Sequence, residues 1–502
     1  MTGMMTELHV HSFLYPFTKG LCQMTRLNIM NKVNVLKTIF FIITLLSFGS
    51  FAAQSSSPQS TKPNVILIMA DDLGWGDVGF NGNKKIITPQ MDELAAQGIK
   101  LNNFYAAAPL CSPTRASVLT GRNPFRQGIF AAHTAGMRIG EVTIAEVLKK
   151  EGYATGLFGK WHIGRIEPDE VQSRGNYSPP KHHGFEEVFA TKSAVPTWNP
   201  TKSPPNWKSY GYKKDGSWGG SRYLHNDVPV TENLEGDDSR IIMDRALPFI
   251  DKSADDGKPF LAAIWFHTPH EPIWAGPEYL AKYPDLPEEQ KHLYGTITAM
   301  DEQIGRLRSY LKAKGIEDNT IIFFTSDNGP GDPQVKSGVA SAGPYRGHKH
   351  QMWEGGLRVP SLIYWPAKIR QGFETNFQAN TNDYFPTILD ILNIKPKKSI
   401  PLDGISLLPM MQGEATERDG IFASGYQRLY EGKELYALID GRYKIVIPDK
   451  GEKIMLFDIE ADPTESKDLS QERTVIFNTM LAQLEKVKAS WKHSREGGDY
   501  KW

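Results

Sequence analysis

Short, wholly apolar runs that each stop on a cluster of chemically active residues limit most strongly how this chain can fold. Pro63-Asn64-Val65-Ile66-Leu67-Ile68-Met69-Ala70 stops at Asp71-Asp72. Thr320-Ile321-Ile322-Phe323-Phe324-Thr325 stops at Asp327-Asn328, and Phe260 to Phe266 stops near His267 and His270. A shorter run, Ala154 to Phe158, is followed by Lys160 and His162. A strand apolar on both faces must be covered on both, which is the position of a parallel strand in an α/β sheet. Helical patterns lie between, at Met91 to Gln97, Ile144 to Lys150 and Tyr294 to Lys312. The alternation predicts an α/β fold with a large, mainly parallel central sheet flanked by helices. In such folds ligands bind beyond the carboxyl ends of the strands, so all four polar clusters are expected at one site.

The two ends of the chain differ from this middle. Near Gly404 the pattern changes to short strands and a final amphipathic helix, about Val475 to Trp491, predicting a smaller α+β subdomain over 404–502. At the other end, Lys32 and Lys37 precede the apolar run Thr38 to Phe51, which ends in Ser50-Phe51-Ala52-Ala53. A basic region, an apolar stretch and a small-residue cleavage site predict a signal peptide over 1–52, with Met24 or Met30 as alternative starts. The apolar run is shorter than the ~20 residues of a membrane helix, so no stable span is expected. A Ser-rich linker over 53–62 then leads into a catalytic domain expected over 63–403. Periplasmic or secreted localisation follows.

Charge and cysteines narrow the partners. Lys and Arg number 57 against 57 Asp and Glu, and removal of residues 1–52 leaves 53 against 56. Such a balance carries no bias toward nucleic acid. Cys22 lies upstream of the expected cleavage site, so the exported chain keeps Cys111 alone and has no intramolecular disulfide. Ser112 suits a helix N-cap, Pro113 the first turn and Gly121 the stop. Cys111 is thereby expected at the positive end of a helix, where anions are favoured, with Arg115 about one turn on. Taken alone, that pattern fits a small buried cysteine beside an ordinary helix equally well.

Cys111-x-Pro113-x-Arg115, continued by Ala116-Ser117-x-Leu119-Thr120-Gly121-Arg122, resembles the signature of type I sulfatases of the alkaline phosphatase-like superfamily. Further similarity runs from about Pro63 to Leu469, and Leu456-Phe457-Asp458 with Asp462-Pro463 resembles the family's C-terminal motif. In that family the cysteine is oxidised to Cα-formylglycine by a maturation enzyme, and the hydrated aldehyde is the nucleophile. The resemblance therefore implies formylglycine at Cys111 and a formylglycine-generating partner.

The other clusters acquire roles in the same way. Asp71, Asp72, Asp327 and Asn328 offer hard oxygen ligands that suit Ca²⁺ or Mg²⁺ better than zinc, although each pair alone reads as ordinary turn residues. The resemblance implies one Ca²⁺, with Mg²⁺ the poorer fit, and makes Asp327 a candidate activating base. Lys160 and His162 match the family's Lys-x-His pair, which in extended chain would project to one side. Lys160, Lys349 and Arg115 are then expected to neutralise sulfate oxygens, and His162 to take a proton from the nucleophile. His270 matches a Pro-His-x-Pro element assigned to the leaving-group oxygen, and Lys349 matches the lysine that precedes Glu354-Gly355-Gly356. Asp77 reads as structural. His267 has no counterpart in the motif and is expected either to touch substrate or to support His270. His348 and His350 read as substrate contacts or surface residues.

Trp198 to His225 is rich in aromatic and basic residues and shows little regular pattern. Trp198, Trp218, Arg222 and His225, with His267 and His348, are the candidate substrate-binding residues, because aromatic faces stack on sugars and cations pair with sulfates. A loop pinned to the body by its aromatics reads the same way. With export, this stretch makes a sulfated polysaccharide or oligosaccharide the expected substrate, and the resemblance to exported bacterial sulfatases implies the galactan or glycosaminoglycan type. Two alternatives are a phosphodiesterase or phosphonate monoester hydrolase on the same fold, and a non-catalytic glycan-binding protein.

Overall fold

A computed structural model describes residues 62–131, 135–167, 176–205, 207–369, 372–395, 400–427, 433–448 and 453–500. The expected signal peptide over 1–52, and the linker up to residue 61, lie outside these residues. In chain order the strands of the main body are β1 (Asn64–Ala70), β2 (Ile99–Leu101), β3 (Phe104–Tyr105), β4 (Ala154–Lys160), β5 (Glu187–Thr191) and β6 (Tyr223–His225). They continue as β7 (Val228–Pro229), β8 (Phe260–Trp265), β9 (Thr320–Ser326), β10 (Ser361–Tyr364), β11 (Phe373–Thr375) and β12 (Ala379–Asn380). All but β3 and β12, which pair with each other, form one sheet in the order β11-β2-β10-β9-β1-β8-β4-β5-β6-β7. Its five central strands, β9-β1-β8-β4-β5, are mutually parallel, and the outer pairings are mixed.

The apolar run of β1 explains why the sheet is sandwiched. Val65, Leu67 and Met69 join a core on one face with Ala116, Leu119, Ile144 and Leu148. Ile66, Ile68 and Ala70 join a second core on the other face with Ile241, Ile297, Met300 and Ile304. Each buried side chain of this size contributes roughly 1.5–3 kcal/mol, so both faces of the strand are held strongly in register. The main covering helices are α1 (Pro89–Gln97), α2 (Cys111–Thr120), α3 (Ile144–Lys150), α4 (Asp238–Asp255) and α5 (Glu288–Ala313). The helix expected at Tyr294 to Lys312 thus begins six residues earlier, after Pro287, and the strand expected to end at Phe158 runs on to Lys160.

After residue 420, β13 (Ile421–Gln427), β14 (Lys433–Asp440), β15 (Tyr443–Ile447) and β16 (Met455–Asp458) form an antiparallel sheet, followed by α6 (Thr474–Arg495). This sheet braces the segment that carries Lys349. Lys444 on β15 is fully buried, 3.0 Å from Glu354 and 2.8 Å from Glu465, and Tyr105 donates to Glu354 at 3.0 Å. A buried ammonium between two carboxylates is tolerable only with such compensation, and loss of either partner would strand a charge.

Candidate active site

The parallel register brings the polar clusters together. Ala70 is opposite Ser326 across β1 and β9, so Asp71-Asp72 and Asp327-Asn328 leave the sheet side by side. The Asp327 N–H donates to the Ala70 carbonyl at 3.1 Å, and the Asp71 N–H to the Thr268 carbonyl at 2.9 Å. Asp72 turns the chain at φ 66°. β4 delivers Lys160 on the other side of β8.

Cys111 is the first residue of α2. Leu110, in extended conformation, is the N-cap, in place of Ser112 as the sequence led us to expect. All ten residues of the helix are buried, and the Ser112 hydroxyl has no hydrogen-bond partner among the described residues. The helix starts where the chain bends out of its strand-like approach, two residues too early for Ser112 to cap it. Gly121 ends it in the left-handed region, φ 67°, as its lack of Cβ allows. Cys111 Sγ lies 3.4 Å from Asp71 Oδ1 and 4.0 Å from Asp72 Oδ1. Burial, reinforced by Asp327, pushes the thiol far above its ordinary range, so an unconverted Cys111 is a protonated, weak nucleophile.

Cations interleave with these acids. Lys160 Nζ donates to Asp71 at 2.6 Å, and Lys349 Nζ donates to Asp72 at 2.8 Å. Arg115 donates through Nε and Nη2 to one Asp327 oxygen at 3.1 and 2.7 Å, and through Nη1 to the Lys160 carbonyl at 3.0 Å. Its guanidinium also stacks over Trp265, 5.3 Å from the ring centre. Burial alone would raise the Asp71 carboxyl, yet Lys160, His270 and Arg115 hold it well below the usual range. Lys349 does the same for Asp72, whereas burial and the Asp71 charge push Asp327 up to about 7.

Asp71, Asp72, Cys111 and His270 present candidate ligand atoms within 4.8 Å of one another. Asn328 Nδ2 donates to Asp72 at 2.8 Å, while its buried Oδ1 has no hydrogen-bond partner among the described residues. An orphaned buried carbonyl oxygen beside three carboxylates fits a hard cation that takes oxygen ligands.

The histidines divide by burial. His162 follows β4 at φ 58°, so the chain is not extended there and the expected same-side projection does not apply. A turn instead presents His162, with Nε2 at 3.4 Å from Ser193 Oγ and its N–H on the Lys192 carbonyl. His270 Nε2 is 3.7 Å from Asp72, and its Nδ1 donates to the Glu271 carbonyl at 2.6 Å. Burial and the nearby Lys349 lower His270 to about 4. His267 is wholly buried between Asp238 at 2.8 Å and Thr191 at 2.7 Å. The expected substrate contact there gives way to a supporting position, because its carbonyl receives the His270 N–H at 2.7 Å. Asp77 is likewise buried, accepting from the Ser341 N–H at 2.9 Å.

The remaining candidate contacts scatter. Trp198 is pinned against Gly276, where a Cβ would come within 2.2 Å of its ring. His225 pairs with Glu187 at 2.5 Å, two residues back along β6 from the end that meets Thr191, so it lies away from the strand ends that carry the site. His348 is held by Asp332 at 2.9 Å and by the Lys349 carbonyl. Arg222 is exposed and paired with Glu167 at 2.7 Å, and Trp218 lines the same cavity. Sequence reasoning missed Asp238, Thr191, Ser193 and the link from Tyr210 to Glu271. Each acts through a partner distant in sequence, and only the helix-starting position of Asp238 leaves any local trace.

An oxygen-rich acid cluster at adjacent parallel strand ends, facing a helix-terminal Cys111 and two lysines, defines a hydrolase of the alkaline phosphatase-like class. The sulfatase family model matches residues 63–394, and that described as N-sulphoglucosamine sulphohydrolase, C-terminal, matches residues 346–490. N-acetylgalactosamine-6-sulfatase of Mus musculus is 32% identical over 418 residues, covering 80% of this chain and 74% of the relative. Arylsulfatase A of Bos taurus is 30% identical, covering 88% and 90%. The solved structure of Ps i-CgsB in complex with k-i-k-neocarrahexaose is 30% identical with a TM-score of 0.74, covering 85% of this chain and 92% of that one. The chain belongs to the sulfatase family and is a sulfuric ester hydrolase.

Proposed function

We propose that this enzyme is an exported sulfatase that removes sulfate esters from a carbohydrate, through formylglycine at position 111 and one bound Ca²⁺. The observation that carries the reading is Cys111 Sγ at 3.4 Å from Asp71, with Lys160 and Lys349 each within 2.8 Å of the acid pair. Nucleophile, oxygen ligands and cations thus share one buried cluster. Asp71, Asp72, Asp327 and Asn328 would hold the Ca²⁺, which when bound supplies charge to polarise a sulfate oxygen. Formylglycine would supply a hydrated aldehyde hydroxyl as the attacking group.

The chain's own residues do the rest. Arg115 fixes the Asp327 carboxylate, which would accept the proton of the attacking hydroxyl. Lys160 and Lys349 neutralise charge on the sulfate oxygens, the electrostatic contribution that weighs most in such reactions. His270, oriented by the Glu271 carbonyl, would contact the leaving-group oxygen through Nε2, and the protonated Lys349 ammonium would supply the proton on which the alcohol departs. His162 takes the second proton at position 111 when sulfate is released.

A carbohydrate substrate of galactan or glycosaminoglycan type is supported by the relatives that act on N-acetylgalactosamine sulfate or bind neocarrahexaose, and export by the basic–apolar–small pattern of residues 32–53. The test is mass spectrometry of the peptide containing residue 111, after co-production with a formylglycine-generating enzyme, alongside hydrolysis of 4-nitrophenyl sulfate and 4-nitrophenyl phosphate. Aldehyde at 111 with sulfate release abolished by Cys111→Ala is expected. Preference for the phosphate ester would overturn the reading in favour of phosphoryl chemistry.

A further inference from the structure

Two cavities flank an aromatic ridge in the loop between β5 and α4. Tyr210 packs edge-on against Trp207 and Trp218, with ring centres 5.2 and 5.7 Å away. Its hydroxyl donates to the Glu271 carbonyl, the same atom that orients His270, so the ridge stands beside the leaving-group position. On the Trp207 side lies a cavity of about 420 Å³ whose polar wall includes Glu271, Glu288, Glu289 and His292. On the Trp218 side lies one of about 380 Å³, with Glu167, Thr201, Lys213, Ser221 and Arg222 around the indole. Both volumes fall within the roughly 300–1,000 Å³ of small-ligand pockets.

The Trp218 cavity is built to receive an anion. Its carboxylate, Glu167, is already matched by Arg222 at 2.7 Å, which leaves Lys213 as the net charge of the wall. The indole Nε1 is buried and has no hydrogen-bond partner among the described residues. It lies against Gly220, in the same wall, where a Cβ would come within 2.7 Å of it. A buried orphan N–H is costly unless something arrives to accept from it. The wall also connects to the catalytic residues: Ser221 Oγ accepts from the Ser193 N–H at 3.0 Å, and Ser193 Oγ is 3.4 Å from His162.

We propose that the Trp218 cavity is a subsite for a second anionic sugar unit, next to the one being desulfated. Trp218 offers a ring face and an N–H, Lys213 offers the net charge, and Arg222 offers the N–H donors that Glu167 does not use. The acid-rich Trp207 cavity would repel such a group. This rests on the sulfated-carbohydrate reading above.

The test uses the full, formylglycine-bearing enzyme and a panel of monosulfated galactose and N-acetylgalactosamine disaccharides. Each is paired with congeners bearing a further sulfate, or a carboxylate, on the neighbouring sugar. For the pair turned over fastest, kcat/KM should favour the doubly anionic member about tenfold. The sulfate and carboxylate arms show which anion the subsite prefers. Lys213→Ala and Arg222→Ala, both at exposed positions that tolerate substitution, should bring that ratio toward one through KM, and Trp218→Phe should lower it by removing the N–H together with part of the ring face. A ratio near one in the wild type, or one unmoved in all three variants, overturns the subsite. Cleavage of 4-nitrophenyl sulfate with no turnover of any disaccharide overturns the carbohydrate reading and the subsite with it. Failure to cleave even the aryl ester overturns the mechanism proposed above.

Discussion

Arg115→Lys isolates what a buried guanidinium does that a positive charge alone does not. Arg115 makes three hydrogen bonds, two to Asp327 and one to the Lys160 carbonyl, and is 0% exposed. A lysine at this position keeps the charge but can reach only one of those acceptors with good geometry. Two charge-assisted bonds are then lost, each about 1.5–3 kcal/mol gross, and partial relaxation should leave a net loss of about 2–4 kcal/mol. Arg115→Met removes the charge as well and strands Asp327 beside Asp71, so it should cost more, about 3–5 kcal/mol. Urea unfolding followed by tryptophan fluorescence measures both, in calcium-containing buffer. In parallel, kcat/KM on 4-nitrophenyl sulfate should fall about 10²–10³-fold for the lysine variant, because the Asp327 carboxylate loses its two-donor anchor. A lysine variant within about 0.5 kcal/mol of wild type and fully active would refute the geometric reasoning. A methionine variant more stable than wild type would show that the buried pair does not favour folding on balance.

Three further outcomes are expected. Chelation of calcium should lower the melting temperature, and at a hundredfold excess over Kd the ion should restore about 2.7 kcal/mol; Asn328→Ala should lose most of that response, whereas an unchanged response would exclude the orphaned Oδ1 as a ligand. His183 is buried and lowered by desolvation to about 4, so the unfolded chain takes up its proton near 6.5 while the folded chain resists. Its contribution is complete above pH ~6.5 and is lost as pH falls toward about 4, up to about 3 kcal/mol, so the acid slope of stability should flatten in His183→Gln. Gly159 sits at φ 108° with room for no Cβ, which would fall 1.9 Å from the Trp265 carbonyl oxygen, whereas Gly152 at φ 87° has nothing within 4 Å. Thermal unfolding should therefore show about 1 kcal/mol of loss for Gly152→Ala and at least about 2–4 for Gly159→Ala, and equal losses would mean that backbone strain alone matters.

The strand ends were legible because a strand buried on both faces writes itself as an unbroken apolar run, and its end as a sudden change to Asp, Lys or His. Boundaries near the site were harder to read. Ser112 lost the N-cap to Leu110, and His162 left the extended conformation at φ 58°. In both places the tertiary approach of neighbouring segments overrides a local preference worth about 1 kcal/mol. The histidines show the same limit. His267 and His270 stand three residues apart in one motif, yet one is sealed between Asp238 and Thr191 and the other faces Asp72. Residue type cannot separate them, since the partner that decides each role lies on another element.

The sequence by itself determined the α/β class, the family and the residues able to do the chemistry, because apolar periodicity and a dense twelve-residue motif are local properties of the chain. The tertiary structure decided which of those residues meet. Parallel register set Asp71 beside Asp327, the β4–β8 pairing delivered Lys160, and the C-terminal sheet propped up the loop of Lys349 through Lys444 and Glu354. It also pinned Trp198 against Gly276, paired His225 with Glu187 and put Trp218 on the wall of a separate cavity. Distance in space between residues far apart in sequence is set by packing the whole core at once, and no local pattern encodes it.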